Sequence, residues 1–228
     1  MLRYLRKNKN LGDIPDDIAQ QLAIRSTYYD IFPHSGILLF CGSQGTGKSV
    51  SAVHYVRNLI DDFPRCRIVT NMDVCFMGYP NEVVGYTEPG DLAKYGSNGK
   101  DGVVFLLDEV HLIWNSLESK SVSPQDMIEF AQSRKQRRLI VGTSQRVTRL
   151  AKPIREQLKY VVDCHCLFGF LQLNTLIDME QCIESVDGTI EINNGRLTWY
   201  VHDYMLRNSA YDTYQKMSRI GGKSWRKS

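Results

Sequence analysis

A glycine-rich segment at residues 42–49 constrains this chain more than any other part of its sequence. It matches the pattern G-x-x-x-x-G-K-[ST], in which glycines let backbone amides turn inward around phosphate oxygens. The apolar run Gly36–Cys41 precedes it and apolar residues at helical spacing follow it, so the loop joins a predicted strand to a predicted helix. The residues that we predict to bind the nucleotide phosphates are Gly42, Ser43, Gln44, Gly45, Thr46, Gly47, Lys48 and Ser49.

A second part of the site is predicted at the end of the apolar run Val103–Leu107, where Asp108 and Glu109 follow. A fully buried parallel strand has this composition, and its carboxyl end opens into the ligand crevice. Lys48 can reach the β- and γ-phosphates of ATP, while the Ser49 hydroxyl and Asp108 are the expected Mg²⁺ ligands. Glu109 is the candidate that orients and deprotonates the attacking water. Two acids at a solvated strand end are the alternative, which the upstream loop disfavours.

The order of the predicted elements indicates the fold class. Strand, P-loop, helix, strand, acid-tipped strand, helix, strand, helix and strand follow one another over residues 35–170. This order is typical of an α/β P-loop NTPase core with a mainly parallel five-stranded sheet flanked by helices. In the class with an additional strand, a polar residue at the tip of that strand senses the γ-phosphate or places the water. Gln145, just after Leu139–Thr143, is our candidate for this catalytic role, and a loop-capping amide is the alternative.

The rest of the chain is predicted to flank this core. Asn194–Gly195 favours a type I′ turn and predicts a hairpin between Thr189–Ile192 and Arg196–Val201. Residues 111–123 are expected to form a loop that exposes Trp114. The predicted segments are a basic leader with a short helix (1–34), the ATPase core (35–170), a β-hairpin appendage (171–208) and a basic tail (209–228).

Composition narrows the class of protein further. The chain has 228 residues, of which 43% are hydrophobic and 23% charged, as in ordinary globular proteins. It contains no apolar window of ~18 residues and no signal peptide, so we expect a cytoplasmic protein without a transmembrane segment. The six cysteines lack paired C-x-x-C units, which favours reduced thiols over a zinc site.

Basic residues are concentrated in three segments. Residues 1–10 contain four and no acid, residues 134–159 contain nine and one acid, and residues 204–228 contain six and one acid. Such segregation favours an anionic partner, and DNA, single- or double-stranded, is our prediction. Solvated faces and a basic tail without a ligand are the alternative.

Four further stretches carry a resemblance to a known family. Leu-Leu-Asp-Glu-Val-His (106–111), the run Arg-Lys-Gln-Arg-Arg (134–138), Ile-Val-Gly-Thr-Ser-Gln (140–145) and Pro-Ile-Arg-Glu-Gln-Leu (153–158) resemble the ATPase domain of zonula occludens toxin-like proteins. These are phage assembly ATPases of the FtsK–HerA superfamily. The resemblance covers roughly residues 35–170. It implies an ATP-hydrolysing motor of a phage or prophage in the host cytoplasm, with phage capsid or assembly proteins as partners.

The resemblance also implies a homo-oligomer, in which an arginine of one subunit stabilises transition-state charge at the nucleotide of its neighbour. Arg155 matches the family's Ile-Arg-Glu stretch and is our first candidate, followed by Arg146 and Arg149. Filamentous-phage members usually carry a membrane span after the ATPase domain, and this sequence has none. A packaging ATPase therefore stays as open as an export factor recruited to the membrane or virion by partners.

A kinase, a GTPase and a nucleotide-binding adaptor are alternative functions for a protein with a P-loop. A nucleotide or small-molecule kinase would use Arg134, Arg137 and Arg138 as lid arginines, but Glu109 and the polar strand tip disfavour it. A GTPase would need an Asn-Lys-x-Asp motif, which the sequence lacks. A nucleotide-binding adaptor would need a damaged site, whereas the P-loop and the acid pair are intact.

Overall fold

The computed structural model describes residues 31–76, 78–116, 124–184, 190–191 and 195–202. Phe32 and the described residues that follow it belong to one compact unit. The predicted leader helix, residues 117–123 of the predicted loop and the basic tail lie outside the described residues.

The described ranges contain ten strands, which are β1 (Gly36–Cys41), β2 (Arg67–Thr70), β3 (Val83–Gly85), β4 (Val103–Leu107), β5 (Arg138–Ser144), β6 (Leu158–Leu167), β7 (Leu171–Asp178), β8 (Ile183–Glu184), β9 (Ile190–Glu191) and β10 (Gly195–Val201). Eight of them form one sheet in the spatial order β10-β7-β6-β1-β5-β4-β2-β3, while β8 and β9 pair separately. The six from β6 to β3 are parallel, and β7 and β10 extend them in antiparallel pairing. The predicted fold class is confirmed, and the sheet is larger than five strands because β3, β7 and β10 join it.

Four α-helices lie in the described ranges, and the first follows the P-loop. They are α1 (Lys48–Asp62), α2 (Asp91–Lys94), α3 (Pro124–Ala131) and α4 (Lys152–Arg155). In α1, Val53, Val56 and Ile60 recur at intervals of three and four residues, so all three are fully buried on one face. None of the helices in the described ranges has the length and apolar character of a membrane span.

The central parallel strands β1, β4 and β5 are buried because each face of the sheet has its own apolar core. On one face, Leu106 and Val141 pack in a cluster with α1. On the other face, Phe105 and Ile140 pack in a cluster with residues of α3 and α4. Helix-covered strands of this kind are apolar without alternation, and every residue of β4 is buried. The carboxyl ends of β1, β4 and β5 therefore meet at one edge of a rigid sheet.

Strand β10 does not form the hairpin that Asn194–Gly195 predicts. Its residues pair with β7, while Ile190–Glu191 pairs with β8, so that prediction of strand pairing is wrong. Pairing with β7 brings Tyr200 against α1, where its ring stacks on His54 with the centroids 4.0 Å apart. This contact partly buries the Tyr200 ring, which a local hairpin could not do, because the partner helix lies far away in the sequence.

Trp114 is also placed differently from the prediction. Its side chain is 2% exposed and packs edge-on against Phe130, with the ring centroids 5.0 Å apart. The backbone turns tightly after Glu109, and the Trp114 carbonyl accepts a hydrogen bond from the Ala151 amide at 3.0 Å. The turn folds this segment back over the sheet, so Trp114 belongs to the core.

Candidate functional site

The P-loop connects the carboxyl end of β1 to the first turn of α1. Gly42, Gly45 and Gly47 all have positive φ angles, of 148°, 80° and 79°. At Gly47 a Cβ atom would also collide with the side-chain amide of Gln172, and at Gly42 it would meet the Cys164 carbonyl oxygen. All three positions favour glycine by backbone conformation, and at Gly42 and Gly47 the close approach of β6 and β7 also leaves no room for a side chain.

Lys48 lies at the mouth of this loop with 7% of its surface exposed. Its ammonium group donates to the Ser43 carbonyl oxygen at 2.9 Å, and the Thr46 hydroxyl donates to the same oxygen at 2.8 Å. Two side chains of the motif therefore donate to the same backbone carbonyl oxygen within the loop, that of Ser43. The ammonium group is a strong hydrogen-bond donor for phosphate oxygens within the reach of its flexible side chain.

Asp108 lies opposite the start of α1. The Ser49 hydroxyl donates to Asp108 Oδ1 at 2.7 Å, and the Thr143 hydroxyl donates to the same oxygen. Carboxylate and hydroxyl oxygens are the hard ligands that Mg²⁺ prefers. The donor set therefore fits the predicted cation, with Ser49 and Asp108 as the residues that would hold it. Thr143, from the tip of β5, orients the carboxylate.

Asn71, which follows β2, is a site residue that sequence reasoning missed. Its side-chain oxygen accepts from the Asp108 amide at 2.8 Å, and its side-chain nitrogen donates to the Asp108 carbonyl oxygen at 3.1 Å. This pair of bonds fixes the peptide groups that carry the acidic pair. The only sequence signal is a polar residue directly after an apolar strand.

Glu109 adopts a left-handed conformation, with φ at 49°. Its amide donates to the Thr143 hydroxyl at 2.9 Å, so β5 supports the turn. Burial raises the pKa of the Glu109 carboxyl and the negative charge of Asp108 adds to this, while Lys48 and Arg149 oppose it. A backbone conformation that costs energy and a raised pKa are both typical of a carboxylate that accepts a proton during catalysis.

His111 contacts this carboxylate and was also missed. Its Nδ1 lies 3.2 Å from Glu109 Oε2, because the 3₁₀ turn Val110–Leu112 carries the ring back over the glutamate. Burial lowers the pKa of His111, and the positive charges of Arg149 and Lys48 lower it further. A lowered pKa favours the neutral imidazole, which can hold Glu109 as a hydrogen-bonding group. The spacing Glu-x-His followed by a turn was an available signal.

Gln145 and Arg155 occupy different edges of the sheet. Gln145 is half-buried and follows β5, which lies between β1 and β4 as predicted. Arg155 ends α4, three residues before Leu158 begins β6 at the opposite, amino edge. Its Nε is buried and has no hydrogen-bond partner among the described residues. The catalytic roles of both side chains stay predictions.

The basic segment 134–159 does not form a single surface. Arg134 and Lys135 are exposed and precede β5, whereas Arg146 and Arg149 are exposed and follow it. Because β5 spans seven residues at about 3.3 Å each, the two groups lie about 20 Å apart on opposite edges. Only the second group lies at the P-loop edge.

Arg138 is a structural residue, contrary to its assignment to the basic surface. It is fully buried and pairs with Glu129 on α3 at 2.6 Å, and it also donates to the Gly96 carbonyl oxygen at 3.0 Å. Arg134, Arg137 and Arg138 all lie at the amino edge, a position that does not favour the alternative in which they act as lid arginines of a kinase. A chain direction that puts them before β5 also puts them far from the P-loop.

Strand β7 contributes a contact to the P-loop that sequence reasoning did not foresee. Gln172 Nε2 donates to the Thr46 carbonyl oxygen at 3.0 Å, and Gln172 Oε1 lies 3.1 Å from His202 Nε2. Gln172 is fully buried although it carries a polar side chain. The antiparallel strands therefore support the outer side of the loop directly.

The P-loop after β1, the acid pair after β4 and the strand inserted between them define the class of a P-loop NTPase with an additional central strand. In fold, the chain is similar to the N-terminal domain of zonular occludens toxin from Neisseria meningitidis, with a TM-score of 0.55 and 15% identity over 78% of this chain and 99% of that one. The resemblance predicted from the sequence is thereby confirmed at the level of the fold.

Two weaker likenesses are to other solved structures. The DNA-packaging ATPase B204 from Sulfolobus turreted icosahedral virus has a TM-score of 0.49 and 14% identity over 70% of this chain and 97% of its own. The flagellar accessory protein FlaH from Methanocaldococcus jannaschii has a TM-score of 0.43 and 15% identity over 65% of this chain and 79% of its own. No protein-family model matches the sequence, and no curated protein sequence matches it.

Proposed function

We propose that this chain is a Mg²⁺-dependent ATPase that acts as a multimer on DNA, as the motor of phage or prophage assembly, packaging or export. One observation carries the proposal: Glu109 directly follows the aspartate that bonds Ser49, and a separate strand, β5, lies between this pair and the P-loop strand. A glutamate at this place acts on water and leads to hydrolysis. A kinase needs no such base beside the metal aspartate.

Each group of the site has a defined task in this proposal. Lys48 binds the β- and γ-phosphates, and Ser49 and Asp108 hold Mg²⁺, which when bound neutralises phosphate charge. Glu109 orients a water molecule and takes its proton, with His111 Nδ1 3.2 Å from its carboxylate to keep it in place. Gln145, at the tip of β5, contacts the γ-phosphate or the water.

The proposed multimer gives Arg155 its role. Since it lies toward the amino edge of the sheet, it can act at a nucleotide only from a neighbouring subunit. Arg149 acts differently in this scheme, because it influences Glu109 within the same subunit. The exposed basic residues at the P-loop edge, Arg146 and Arg149, together with Lys152, offer DNA a contact whose strength decreases as the salt concentration rises.

The test is steady-state ATP hydrolysis with and without single- and double-stranded DNA. We expect DNA to stimulate turnover and Glu109→Gln to reduce it by about 10³-fold, since a general base contributes about 10²–10⁴-fold. Nucleotide affinity should survive in this variant. Glu156→Gln, at a glutamate side chain that is 60% exposed, is the matched control and should behave like the wild type.

Two results would contradict the proposal. Turnover that ignores both kinds of DNA would remove the motor function and leave an ATPase activated by another partner. Full activity in Glu109→Gln would show that a different residue activates the water.

A further inference from the structure

The turn between β6 and β7 has an unusual sequence for its geometry. Phe168 and Gly169 have φ angles of 53° and 74°, and the Phe170 amide donates to the Leu167 carbonyl oxygen at 3.2 Å. Two central residues with positive φ and this hydrogen bond define a type I′ turn, which favours Asn, Asp and Gly. A bulky aromatic residue at the first central position is an outlier.

The two phenylalanines of this turn gain little burial from the fold. Phe168 is 86% exposed and Phe170 is 48% exposed. Their rings stack on each other with centroids 6.1 Å apart and an interplanar angle of 29°. Packing in the folded chain therefore does not explain why aromatic side chains occupy this turn. Flat, exposed aromatic faces are suited to a flat aromatic ligand.

The turn projects beyond the edge of the sheet that carries the P-loop. Asp163 of β6 pairs with Cys41, the last residue of β1, and β6 then continues to Leu167. Four further residues at about 3.3 Å each extend it by about 13 Å. Gln172 of β7 bonds the Thr46 carbonyl oxygen, and the Phe170 carbonyl oxygen accepts from the His202 amide at 2.8 Å. The aromatic turn thus stands beside the outer side of the loop.

The phosphate site determines on which side of the P-loop a nucleoside must lie. Ser49, Asp108 and Glu109 mark the γ-phosphate end, and they lie on the β5–β4 side of β1. A triphosphate that runs across the loop from this end directs its α-phosphate toward the opposite side. In the sheet order β4-β5-β1-β6-β7, that opposite side is formed by β6 and β7.

We infer that Phe168 and Phe170 form a stacking platform for the base of the nucleotide whose phosphates bind in the P-loop. The inference rests on the proposed function, because it needs a nucleotide at residues 42–49. Stacking on an aromatic ring is available to every base, since each has a π-face. The two side chains carry no hydrogen-bonding groups, so they strengthen binding of ATP and GTP alike.

The test compares a whole nucleotide with its phosphate part. The dissociation constants of the non-hydrolysable analogue AMPPNP and of tripolyphosphate, each with Mg²⁺, are measured by calorimetry for the full chain. Phe168→Asn removes one ring and replaces it with a residue that favours the turn, and Phe170→Ala removes the other. We expect the double variant to bind AMPPNP about tenfold more weakly and tripolyphosphate with unchanged affinity.

Trp199→Ala is the matched control, because Trp199 on β10 is also an exposed aromatic residue, at 68% exposure. It should leave both affinities unchanged. An unchanged AMPPNP affinity in the double variant would overturn the inference, as would a wild type that binds AMPPNP no more tightly than tripolyphosphate. A loss confined to DNA binding would also overturn it, since the rings would then stack on a nucleic-acid strand. A wild type that binds neither ligand would overturn the proposed function itself.

Discussion

Strands β4, β5 and β10 belong to one sheet, but their environments differ along their whole length. Every residue of β4 and β5 is buried, whereas six of the seven residues of β10 are exposed. Strands β4 and β5 are covered on both faces, and their carboxyl ends hold the acid pair and the Thr143 side chain that supports it. The candidate site residues therefore lie where packing fixes the backbone. The antiparallel strands β7 and β10 contact this site only through a few polar side chains.

The largest effect is expected from a pair of substitutions that tests the difference in burial between β4 and β10. Leu106 on β4 is fully buried, whereas Leu197 on β10 is 62% exposed. Leu106→Ala should lower the free energy of unfolding by about 3 kcal/mol, because it leaves a cavity between strand and helix. Leu197→Ala should change it by less than about 0.5 kcal/mol. Urea unfolding of both variants measures the difference. Equal losses would mean that β10 is covered in the folded protein and that the two strands do not differ in burial.

A second prediction concerns the contact that joins the two regions. Gln172→Leu keeps the side-chain volume but removes the hydrogen bond to the Thr46 carbonyl oxygen. The P-loop should lose its outer support, so the KM for ATP should rise about fivefold, as expected for about 1 kcal/mol, with little change in kcat. The readout is the separation of KM from kcat in steady-state hydrolysis.

Gln157→Leu, at an exposed glutamine before β6, is the control for this variant. If Gln172→Leu lowers thermal stability but leaves the KM unchanged, β7 supports only the fold. The antiparallel region would then be independent of the nucleotide site.

The smallest expected effect lies within the parallel region. Arg149 lowers the pKa of Glu109, so Arg149→Ala should raise it, because loss of a positive neighbour disfavours the ionised carboxylate. In the proposed mechanism Glu109 acts as a base when ionised, so activity should be lost as pH falls through its pKa. The acid limb of the kcat profile should therefore move to higher pH, and the shift should be small because solvent screens this exposed arginine.

Arg134→Ala, at the amino edge, should leave the profile in place. A shift of equal size in both variants would point to a general effect of net charge. No shift in Arg149→Ala would mean that Glu109 does not limit the rate in acid.

The P-loop and the acid pair could be predicted because their signals are local. Glycines before a helix indicate the backbone geometry of a phosphate loop, and two acids after an apolar run indicate the chemistry of the site. Both patterns lie in adjacent residues. The inserted strand β5 was predicted for the same reason, as an apolar run bounded by polar residues. Parallel strands that are buried on both faces of a sheet are continuous apolar runs in the sequence.

The contacts around the acid pair could not be predicted in the same way. Asn71 lies 37 residues before Asp108, and the only local clue was its position after a strand. Arg138 belongs to a run of basic residues, and it is buried only because Glu129 of α3 meets it. Local signals also misled: Asn194–Gly195 favours a hairpin, but burial of Tyr200 against α1 favours pairing with β7.

By itself, the sequence determined the class of fold, the position of the phosphate loop and the identity of the acid pair. These depend on the spacing of neighbouring residues and on the apolar runs that make strands. The tertiary structure decided which arginine is buried, which strand β10 joins and which side chains hold Glu109. It also placed Phe168 and Phe170 beside the P-loop. Such contacts depend on which distant segments pack together, and that is settled by the burial and hydrogen bonding of the whole fold.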